Sequence, residues 1–568
     1  MNGLSHMLSA VTAADLFGAV TRFVFPVLAI LILWRCVRSL LFFRKEPEIW
    51  AWFACPDGRR LPVTHWETLL GRNKNCDVVL DYPTISRTHA VLTRYDDGSW
   101  SISDVGSKGG IRINGKDTSM AALEYGDRIA LGGVEFQLVP ITREQEIIQA
   151  SVRTRAGEAV SSFLTLLILT LFQILTAFQL MLSSEQADAI GIAFLCFLVI
   201  QWGFFLLMRL LRRTGFEVET IGFFLTTLGL AIIASDDPGE LKKQLICVIA
   251  GLVVYFVICW ALRDLERAKK LRYVAAAGSL ALLAINLVFG VEKFGSRNWI
   301  QLGSFSFQPS ELVKLCFVFV GASTLQRIMT KRNMFLFIAY SAVICGCLVL
   351  MNDFGTALIF FVAFLIIAYL RSGSVASIAL ILSATAMGGL LAIRFVPHIL
   401  NRFSAWGHVW ENALTTGYQQ TRAMMCIASG GLFGLGPGEG WLKYVGASDT
   451  DLVFAFIGEE WGLLMAVAMV AAIVVLAVFV VRAASDGRSS FYTIGACASV
   501  GILLTQTILN VFGTVDLLPL TGVTFPFVSN GGSSMIACWG LVALIKGADN
   551  RQNASVAVKL PSRKEMAE

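Results

Sequence analysis

The chain has 568 residues, of which 56% are hydrophobic and only 15% are charged. These values exclude a single globular domain and predict a polytopic membrane protein with at least one soluble module. The formal net charge is +6, and most Lys and Arg residues fall in short loops between apolar runs. Such residues orient membrane spans, so no nucleic-acid partner is expected.

The first apolar run covers residues 16–43 and ends among basic residues such as Arg35 and Lys45. Positive charge collects on the cytoplasmic side of a membrane, so the end of this run is predicted to be cytoplasmic. No small-residue cleavage site follows the run, and residues 1–46 are therefore interpreted as a membrane anchor.

Residues 47–141 have a different character, with short alternating runs such as DVVLD, HAVLTRY and RIALGGVEFQLV between Gly, Asp and Asn residues. Alternation with a period of two, interrupted by turn residues, is typical of β-strands. The segment is predicted to be an all-β domain inserted after the anchor.

The stretch LLGRNKNCDVVLDYPTISRTHAVLTRYDDGSWSISDVGSKGGIRING resembles the forkhead-associated (FHA) family, a β-sandwich that binds phosphothreonine peptides. The resemblance implies that Arg72, Ser86 and Arg87 bind the phosphate and that His89 braces their loop. Fixed cationic and hydroxyl donors suit a phosphate. Gly109 stands where the family has an asparagine that grips the peptide backbone. Without the resemblance, Arg72 would be interpreted as a solvated surface arginine.

Residues 142–215 contain a charged linker and two apolar runs, residues 216–548 contain ten more, and residues 549–568 form a tail. Each run, with its flanks, is long enough to cross a hydrocarbon core of about 30 Å, and with the anchor they predict about thirteen spans. The runs after the anchor cover residues 159–182, 189–211, 217–235, 244–262, 273–291, 312–326, 335–350, 356–370, 375–395, 452–481, 490–512 and 533–545.

Basic residues fall on alternate loops, which predicts a cytoplasmic β domain and a cytoplasmic C-terminus. Four polar, Gly/Pro-rich segments are then predicted to meet on the outer face of the membrane. They are residues 292–311, 352–355, 396–451 and 513–532. This convergence predicts a site that faces away from cytoplasmic nucleotides.

Ionisable groups near membrane depth are candidates for function, because charge is costly there. Asp451 lies where a polar loop turns into the apolar run LVFAFIG, which predicts a carboxylate at the mouth of the bundle. Glu459 lies eight residues after Asp451, so the two are predicted to lie nearly on one helix face if both are helical. The other candidates for substrate contact are Arg297, Trp299, Gln308, Glu311, Lys314, Asp353, Tyr418, Gln419, Arg422, Lys443, Ser529 and Ser533.

Some of these candidates have a structural interpretation of similar weight. Glu311 and Lys314 are three residues apart and share a helix face, so they are also interpreted as an ion pair that braces two helices. Asp353 is equally interpreted as the cap of the next span. Residues 518–534 are predicted to be non-helical backbone at membrane depth, lining a cavity, with a re-entrant turn as the alternative.

Five segments together resemble the SEDS family of FtsW/RodA peptidoglycan polymerases: FGSRNWIQLGSFSFQPSELVK, NDFGTA, GYQQTRAMMCIASGGLFGLG, SDTDLVFAFIGEEWG and LPLTGVTFPFVSNGGSS. The resemblance covers about residues 216–545. It implies that the chain polymerises lipid II at the outer face of the bacterial cytoplasmic membrane, with Asp451 as the catalytic aspartate and a class B penicillin-binding transpeptidase as partner. The chain departs from the family pattern at residues 445–447 and at Asp449 and Asn530.

The implied reaction needs a base for the acceptor hydroxyl, and Asp451 is suited to that role. The leaving pyrophosphate needs positive charge, for which the candidates are Arg297, Lys314, Arg422 and Lys443, with or without a divalent cation such as Mg²⁺. Two alternatives stay open: a flippase or transporter of a lipid-linked precursor, and an inactive scaffold that recruits phosphorylated cell-wall proteins. The sequence does not separate roles in division, elongation and sporulation.

Overall fold

The structure is a computed structural model that describes most of the chain. The described residues are 13–42, 49–74, 76–95, 98–145, 160–293, 295–303, 305–324, 331–372, 379, 381–383, 406–485, 489–549 and 551. Within them, a β-sandwich follows the first helix and a helical bundle follows the sandwich.

The segment predicted to be all-β folds into a sandwich of two sheets, which confirms the prediction. Its strands are β1 (Ala51–Ala54), β2 (Arg60–Val63), β3 (Glu67–Gly71), β4 (Val78–Val79), β5 (Ala90–Arg94), β6 (Trp100–Asp104), β7 (Ile111–Ile113), β8 (Lys116–Thr118), β9 (Met120–Leu123), β10 (Arg128–Leu131) and β11 (Val134–Pro140). One sheet has the order β2-β1-β11-β10-β7-β8 and the other has the order β4-β3-β5-β6-β9. Strands β3 and β4 are parallel.

Alternating burial along the strands explains why this sequence forms a sandwich. In β11, Phe136 and Leu138 are buried while Glu135 and Gln137 are exposed. Successive strand residues point to opposite faces, so the apolar set of each sheet meets that of the other.

The rest of the described chain is mainly helical, and nine of its described helices are long and apolar enough to cross a membrane. The helices are α1 (Ala13–Phe42), α2 (Ser162–Ser183), α3 (Ala187–Leu210), α4 (Glu217–Asp236), α5 (Leu241–Leu262), α6 (Leu265–Phe289), α7 (Pro309–Thr324), α8 (Lys331–Leu350), α9 (Phe354–Ser372), α10 (Tyr418–Gly430), α11 (Val453–Glu460), α12 (Leu463–Ser485), α13 (Ser490–Thr514) and α14 (Gly532–Gly547). The chain is therefore a polytopic helical membrane protein with an all-β domain after its first helix.

Every predicted span contains a helix except residues 375–395, which lie almost entirely outside the described residues. Helices α8 and α14 have apolar segments that are shorter than the nine long spans, Met334–Leu350 and Gly532–Gly547. The total of about thirteen spans stays a prediction.

The prediction of one continuous span over residues 452–481 is wrong, because the chain breaks between α11 and α12. Gly462 lies in the break with φ 86°. A Cβ on Gly462 would be 2.4 Å from the Leu432 carbonyl oxygen and 2.5 Å from the Gly434 nitrogen, so only glycine fits here. The last carbonyls of α11 have no partner within the helix. Those of Glu459 and Glu460 accept hydrogen bonds from the main-chain amides of Leu435 and Gly436, both at 2.9 Å.

Residues 291–307 form an antiparallel sheet that the sequence patterns did not predict. Its strands are β12 (Val291–Lys293), β13 (Ser296–Leu302) and β14 (Phe305–Phe307). The Arg297 amide donates to the Met351 carbonyl at 2.9 Å, which fixes β13 beside the end of α8. The sheet therefore holds the predicted site residues Arg297 and Trp299 on ordered backbone.

Helices α2 and α3 pack on each other and on α4 partly through buried polar contacts. The amide of Gln173 on α2 donates to Gln201 on α3 at 2.7 Å and to Thr227 on α4 at 3.0 Å. An unpaired polar group costs free energy in an apolar interior, so these bonds fix how the three helices fit together.

A buried ionic network joins α1, α4 and the end of α14. Lys546 pairs with Glu219 at 3.3 Å, and Arg551 pairs with Glu217 at 3.1 Å. Ser39 of α1 donates to Glu217 at 2.7 Å. Removing one partner of such a network leaves an uncompensated buried charge and is strongly destabilising, whereas the intact network adds little net stability.

The sandwich contacts the bundle through β3 and the residue before it. Trp66 is 8% exposed and belongs to the buried cluster of the bundle. The carboxylate of Glu67 accepts a hydrogen bond from the hydroxyl of Ser490, the first residue of α13. Burial raises the pKa of Glu67, while the bond from Ser490 and the charge of Arg371 oppose that rise. The sandwich therefore rests on one end of α13.

Replacing Gly462 by Ala is expected to destabilise the protein. A forced positive φ alone costs about 1–3 kcal/mol for a non-glycine residue, and the new Cβ also meets the 432–434 backbone. The midpoint of thermal unfolding in detergent should fall by several degrees.

Gly203→Ala on α3 is the matched control, since a Cβ there meets nothing within 4 Å. Its midpoint is expected to be unchanged or slightly higher. Equal midpoints for the two variants would contradict the account of the helix break.

Candidate functional site

Asp451 lies in a tight turn directly before α11, at the position that the sequence predicts. Its amide donates to the Ala447 carbonyl at 2.9 Å, and Ala447 itself has φ 62°. Since α11 begins at Val453, Asp451 is outside the helix. The shared helix face of Asp451 and Glu459 required both residues to be helical, and Asp451 does not meet that condition.

Three consecutive carbonyls of this turn are held by groups from elsewhere in the chain. The Asp449 carbonyl accepts from the Asn530 amide at 2.8 Å, and the Thr450 carbonyl accepts from the Ser529 hydroxyl at 2.5 Å. The Asp451 carbonyl accepts from the Asn510 side-chain amide at 3.0 Å. We call these three hydrogen bonds the carbonyl clasp. The clasp fixes the backbone from which the Asp451 carboxylate projects.

The Asp451 carboxylate lies against the backbone of residue 522. A Cβ on Gly522 would be 3.5 Å from the Asp451 Oδ2 atom, and Gly522 has φ 70°. Asp451 is half-buried, whereas Gly522 is exposed. A carboxylate in this position meets both the protein and the space outside it, as an acid–base group that acts on a bound substrate must.

Asp449 is fixed by the neighbouring asparagine. Its carboxylate accepts from the Asn530 side chain at 2.8 Å, in addition to the backbone bond between the two residues. Burial raises the pKa of Asp449, and the bond from Asn530 opposes that rise. Asp449 and Asn530, two of the positions at which the chain departs from the family pattern, therefore contact one another.

Glu459 and Glu460 are buried and bind the loop that precedes the turn. Glu459 accepts from the Leu442 amide at 2.9 Å, and Glu460 accepts from the Gly438 amide at 2.9 Å and from the Ser235 hydroxyl at 2.5 Å. A carboxylate that accepts main-chain amides in a buried site is a structural anchor for those amides.

Asp353 joins several predicted site residues and also caps α9. Its carboxylate accepts from the Thr356 amide at 3.1 Å, which confirms the capping interpretation. The same carboxylate accepts from the side chains of Asn298 at 2.8 Å and Gln308 at 3.4 Å. The main-chain amide of Gln308 donates to the hydroxyl of Ser533 at 3.4 Å. Asp353, Gln308 and Ser533 are thus brought together.

Glu311 and Lys314 form an ion pair of 2.8 Å within α7, and their side chains are 5% and 1% exposed. The pair lies on one helix, so the interpretation that it braces two helices is corrected to a pair within a single helix. Most of the charge of Lys314 is balanced by this partner.

The other three predicted cations, Arg297, Arg422 and Lys443, are more exposed to solvent than Lys314. Arg297 donates to the Gly290 carbonyl at 3.0 Å, and Lys443 donates to the Gly438 carbonyl at 3.1 Å. The guanidinium of Arg422 lies 5.2 Å from the centre of the Tyr418 ring, one turn before it on α10.

Gln419 connects α10 to the turn before Asp451. Its side-chain amide donates to the Gly446 carbonyl at 2.8 Å. Gly446 belongs to residues 445–447, where the chain departs from the family pattern, so this departure retains an ordered contact.

In the sandwich, the predicted phosphate-binding residues lie on two adjacent loops. The amide of Arg72 donates to the Ser86 carbonyl at 3.1 Å, and the amide of Asn73 donates to the Arg87 carbonyl at 2.9 Å. The side chains of Arg72 and Arg87 are exposed. Arg72, Ser86 and Arg87 are therefore brought together at one end of the sandwich.

His89 has the bracing position that the sequence predicts. It is fully buried, and its Nδ1 atom accepts from the Ser86 amide at 3.1 Å. Its Nε2 atom lies 3.0 Å from the Gly110 carbonyl. His89 thus joins the loop that carries Ser86 and Arg87 to the loop that carries Gly109.

Sequence reasoning missed Asn510 altogether and named Asn530 only as a departure from the family pattern. A signal for Asn510 does exist, because a carboxamide inside the apolar run 490–512 needs a partner. In the described part of the chain, no group of three or more His, Cys, Asp and Glu side chains is arranged to hold a metal ion. A divalent cation at the site stays a prediction.

Comparison with known families supports both resemblances. A model of the FtsW/RodA/SpoVE family, described as a cell cycle protein, matches residues 208–554. A model of the FHA domain matches residues 68–132, within the sandwich.

Individual relatives agree with the FtsW/RodA/SpoVE match. The chain is 27% identical over 353 residues to the peptidoglycan glycosyltransferase RodA of Mycobacterium tuberculosis, covering 56% of this chain and 75% of that one. It is 32% identical over 357 residues to the probable peptidoglycan glycosyltransferase FtsW of Nitrosococcus halophilus, covering 59% and 90%. A solved chain from a peptidoglycan synthase complex that coordinates polymerization and crosslinking has a TM-score of 0.50 and 26% identity, covering 58% and 96%.

Restoring the asparagine of the FHA pattern through Gly109→Asn is expected to disturb the phosphate-binding loops. A Cβ on Gly109 would be 2.6 Å from the Cα atom of Gly132, so one of the two loops must move. Hydrogen–deuterium exchange of residues 84–90 should become faster in the full-length variant.

Lys108→Asn is the matched control, because Lys108 is exposed and its contact with Ser86, at 3.0 Å, comes from its main-chain amide and is independent of the side chain. Exchange in residues 84–90 should be unchanged in this variant. Unchanged exchange in Gly109→Asn would show that the loops have room for the side chain.

Proposed function

Because the chain belongs to the FtsW/RodA/SpoVE family, whose model matches more than half of its length, we propose that it is a peptidoglycan glycosyltransferase. It polymerises lipid II into glycan strands at the outer face of the cytoplasmic membrane. The observation that carries this proposal is the carbonyl clasp, which fixes a half-buried carboxylate at the mouth of the bundle.

In the proposed reaction, the Asp451 carboxylate accepts the proton of the acceptor sugar's hydroxyl. The hydroxyl oxygen forms a bond to the anomeric carbon of the donor, and the bond from that carbon to the pyrophosphate oxygen breaks. Undecaprenyl pyrophosphate leaves with the electron pair. A fixed base suits this step, since positioning and proton transfer both lower the barrier.

Positive charge for the leaving pyrophosphate is assigned to Arg297, Arg422 and Lys443. Arg297 and Lys443 each donate to a backbone carbonyl and Arg422 lies over the Tyr418 ring, so each side chain has N–H donors beyond these contacts. The charge of Lys443 also acts on the carboxylates of Glu460 and Asp236. Lys314 is a weaker candidate, because Glu311 already balances its charge. No reaction step is assigned to a divalent cation.

The orientation of the protein is part of the proposal. Basic residues on alternate loops favour a cytoplasmic sandwich and tail, and an external Asp451. The class B transpeptidase partner is likewise proposed from the family.

We further propose that the FHA domain binds a phosphothreonine-containing protein and thereby regulates or localises the polymerase. The exposed Arg72 and Arg87 beside Ser86 support phosphate binding. The contact between Glu67 and Ser490 supports regulation, because α13 also holds the Asp451 carbonyl through Asn510.

Asp451→Asn is expected to abolish glycan polymerisation while the protein still folds and inserts. The substitution keeps the size of the side chain but removes its basic oxygen, and loss of a positioned base costs about 10² to 10⁴-fold in rate. The measurement is the length of glycan chains made from labelled lipid II by purified protein, with and without a candidate transpeptidase. Retention of lipid II binding by the inactive variant would separate an enzyme from a transporter.

Asp449→Asn is the matched control and should be far milder. An asparagine at position 449 can still accept the hydrogen bond from Asn530, so the turn should keep its shape. A near wild-type rate for Asp451→Asn would show that another group is the base or that the chain is not a polymerase of this kind.

Arg72→Ala is expected to abolish phosphate-dependent binding of peptides to the full-length protein. Gly109 cannot grip the peptide backbone, so the wild-type affinity should be weak, about −8 to −6 kcal/mol. The measurement is fluorescence anisotropy with a phosphothreonine-peptide library and its unphosphorylated counterpart.

Arg60→Ala removes the same charge from an exposed position on the edge strand β2, and its binding should be unchanged. Equal binding of phosphorylated and unphosphorylated peptides to the wild type would make the sandwich a structural domain only.

A further inference from the structure

Asn510 bonds to two separate segments of the candidate active site with one amide group. Its Nδ2 atom donates to the Asp451 carbonyl at 3.0 Å and to the Val523 carbonyl at 2.9 Å. The side chain is 2% exposed. Both hydrogens of the amide are therefore used inside the protein, and neither is left for substrate.

The two segments that Asn510 joins form the surroundings of the catalytic carboxylate. Val523 follows Gly522, whose backbone lies against the Asp451 carboxylate. Asn510 thus sets the distance between the turn that carries Asp451 and the backbone that faces it. The hydroxyl of Thr514 lies 3.5 Å from the same Asp451 carbonyl, too far to replace the shorter bond from Asn510.

Asn510 lies on a rigid support. Helix α13 spans Ser490–Thr514, and Asn510 is in its penultimate turn. In contrast, Asp451 and Val523 lie in irregular backbone, which lacks the regular main-chain hydrogen bonds that fix a helix or a strand. A helix-borne amide is suited to hold such backbone in register.

We propose that Asn510 is a positioning residue for the transglycosylation, acting through Asp451. This inference rests on the proposed function. A misplacement of about 1 Å at a reacting group can lower a rate about 10²-fold. Loss of the amide should therefore lower kcat, while KM for lipid II changes little, because Asn510 does not reach the substrate.

The test is a comparison of Asn510→Ala and Asn510→Asp with wild type, as purified full-length proteins with labelled lipid II and a candidate transpeptidase. The aspartate has nearly the same shape as the asparagine but, when ionised, donates no hydrogen bond. Both variants should lose about 10²-fold in kcat, with KM within about threefold of wild type. Thermal midpoints in detergent, measured in parallel, report the folded fraction.

Thr507→Val is the matched control on the same helix. The buried Thr507 hydroxyl donates at 2.9 Å to the Leu503 carbonyl of α13. The kcat of Thr507→Val should be within about twofold of wild type, because the lost hydrogen bond lies within one helix and its loss costs little free energy.

The outcomes separate this inference from the proposed function. If the wild type polymerises lipid II and Asn510→Ala keeps its kcat, or changes only KM, the positioning role is overturned and the proposed function stands. If the loss of rate matches the loss of folded protein, the role of Asn510 is structural and the inference is overturned. If the wild type makes no polymer with the transpeptidase present, the proposed function fails and this inference fails with it.

Discussion

The candidate site depends on the carbonyl clasp over residues 449–451. A buried backbone carbonyl needs a hydrogen-bond donor, and residues outside helices and strands have no regular partner along their own segment. Asn530, Ser529 and Asn510 provide the missing donors. The same bonds that satisfy the backbone therefore determine where the Asp451 carboxylate lies. The three hydrogen bonds thus fix the position of a carboxylate whose backbone is not part of a helix.

The loop before the turn is held from the opposite side, and here the helices outside the family match contribute. Glu459 and Glu460 bind the amides of Leu442 and Gly438. On α2, the hydroxyl of Ser183 donates to the Pro437 carbonyl at 3.1 Å. On α1, the ring of Phe23 lies 4.7 Å from that of Phe433. The helices α1 and α2, which bracket the FHA domain in sequence, thus touch the loop that leads to Asp451.

Helix α13 provides a second connection between the FHA domain and the candidate site. Its residue Ser490 contacts Glu67 of the FHA domain, and its residue Asn510 contacts Asp451. At 1.5 Å per residue, its 25 residues span roughly 37 Å.

Much of this organisation could be predicted from the sequence, for reasons that are specific to each element. Apolar runs revealed the helices because hydropathy is a direct consequence of the membrane. Alternation revealed the sandwich, and the change from polar loop to apolar run located Asp451. The break at Gly462 could not be predicted, because the run 452–481 remains apolar through it and the break depends on the approach of residues 432–434. The roles of Glu459 and Asn510 were equally inaccessible, since their partners lie 17 and 59 residues away in sequence, respectively.

The distribution of charge around Asp451 follows from which side chains are already paired. Lys314 is buried against Glu311, so its charge is balanced before any substrate binds. Arg297 contacts a carbonyl and Arg422 contacts a ring, and neither partner carries a net charge, whereas Lys443 also interacts with the carboxylates of Glu460 and Asp236. In the proposed reaction, a pyrophosphate would replace the neutral contacts of Arg297 and Arg422 with charge-assisted bonds, which are stronger. Under the proposed function, the buried lysine organises α7, and the cations of the polar segments carry the electrostatic part of the reaction.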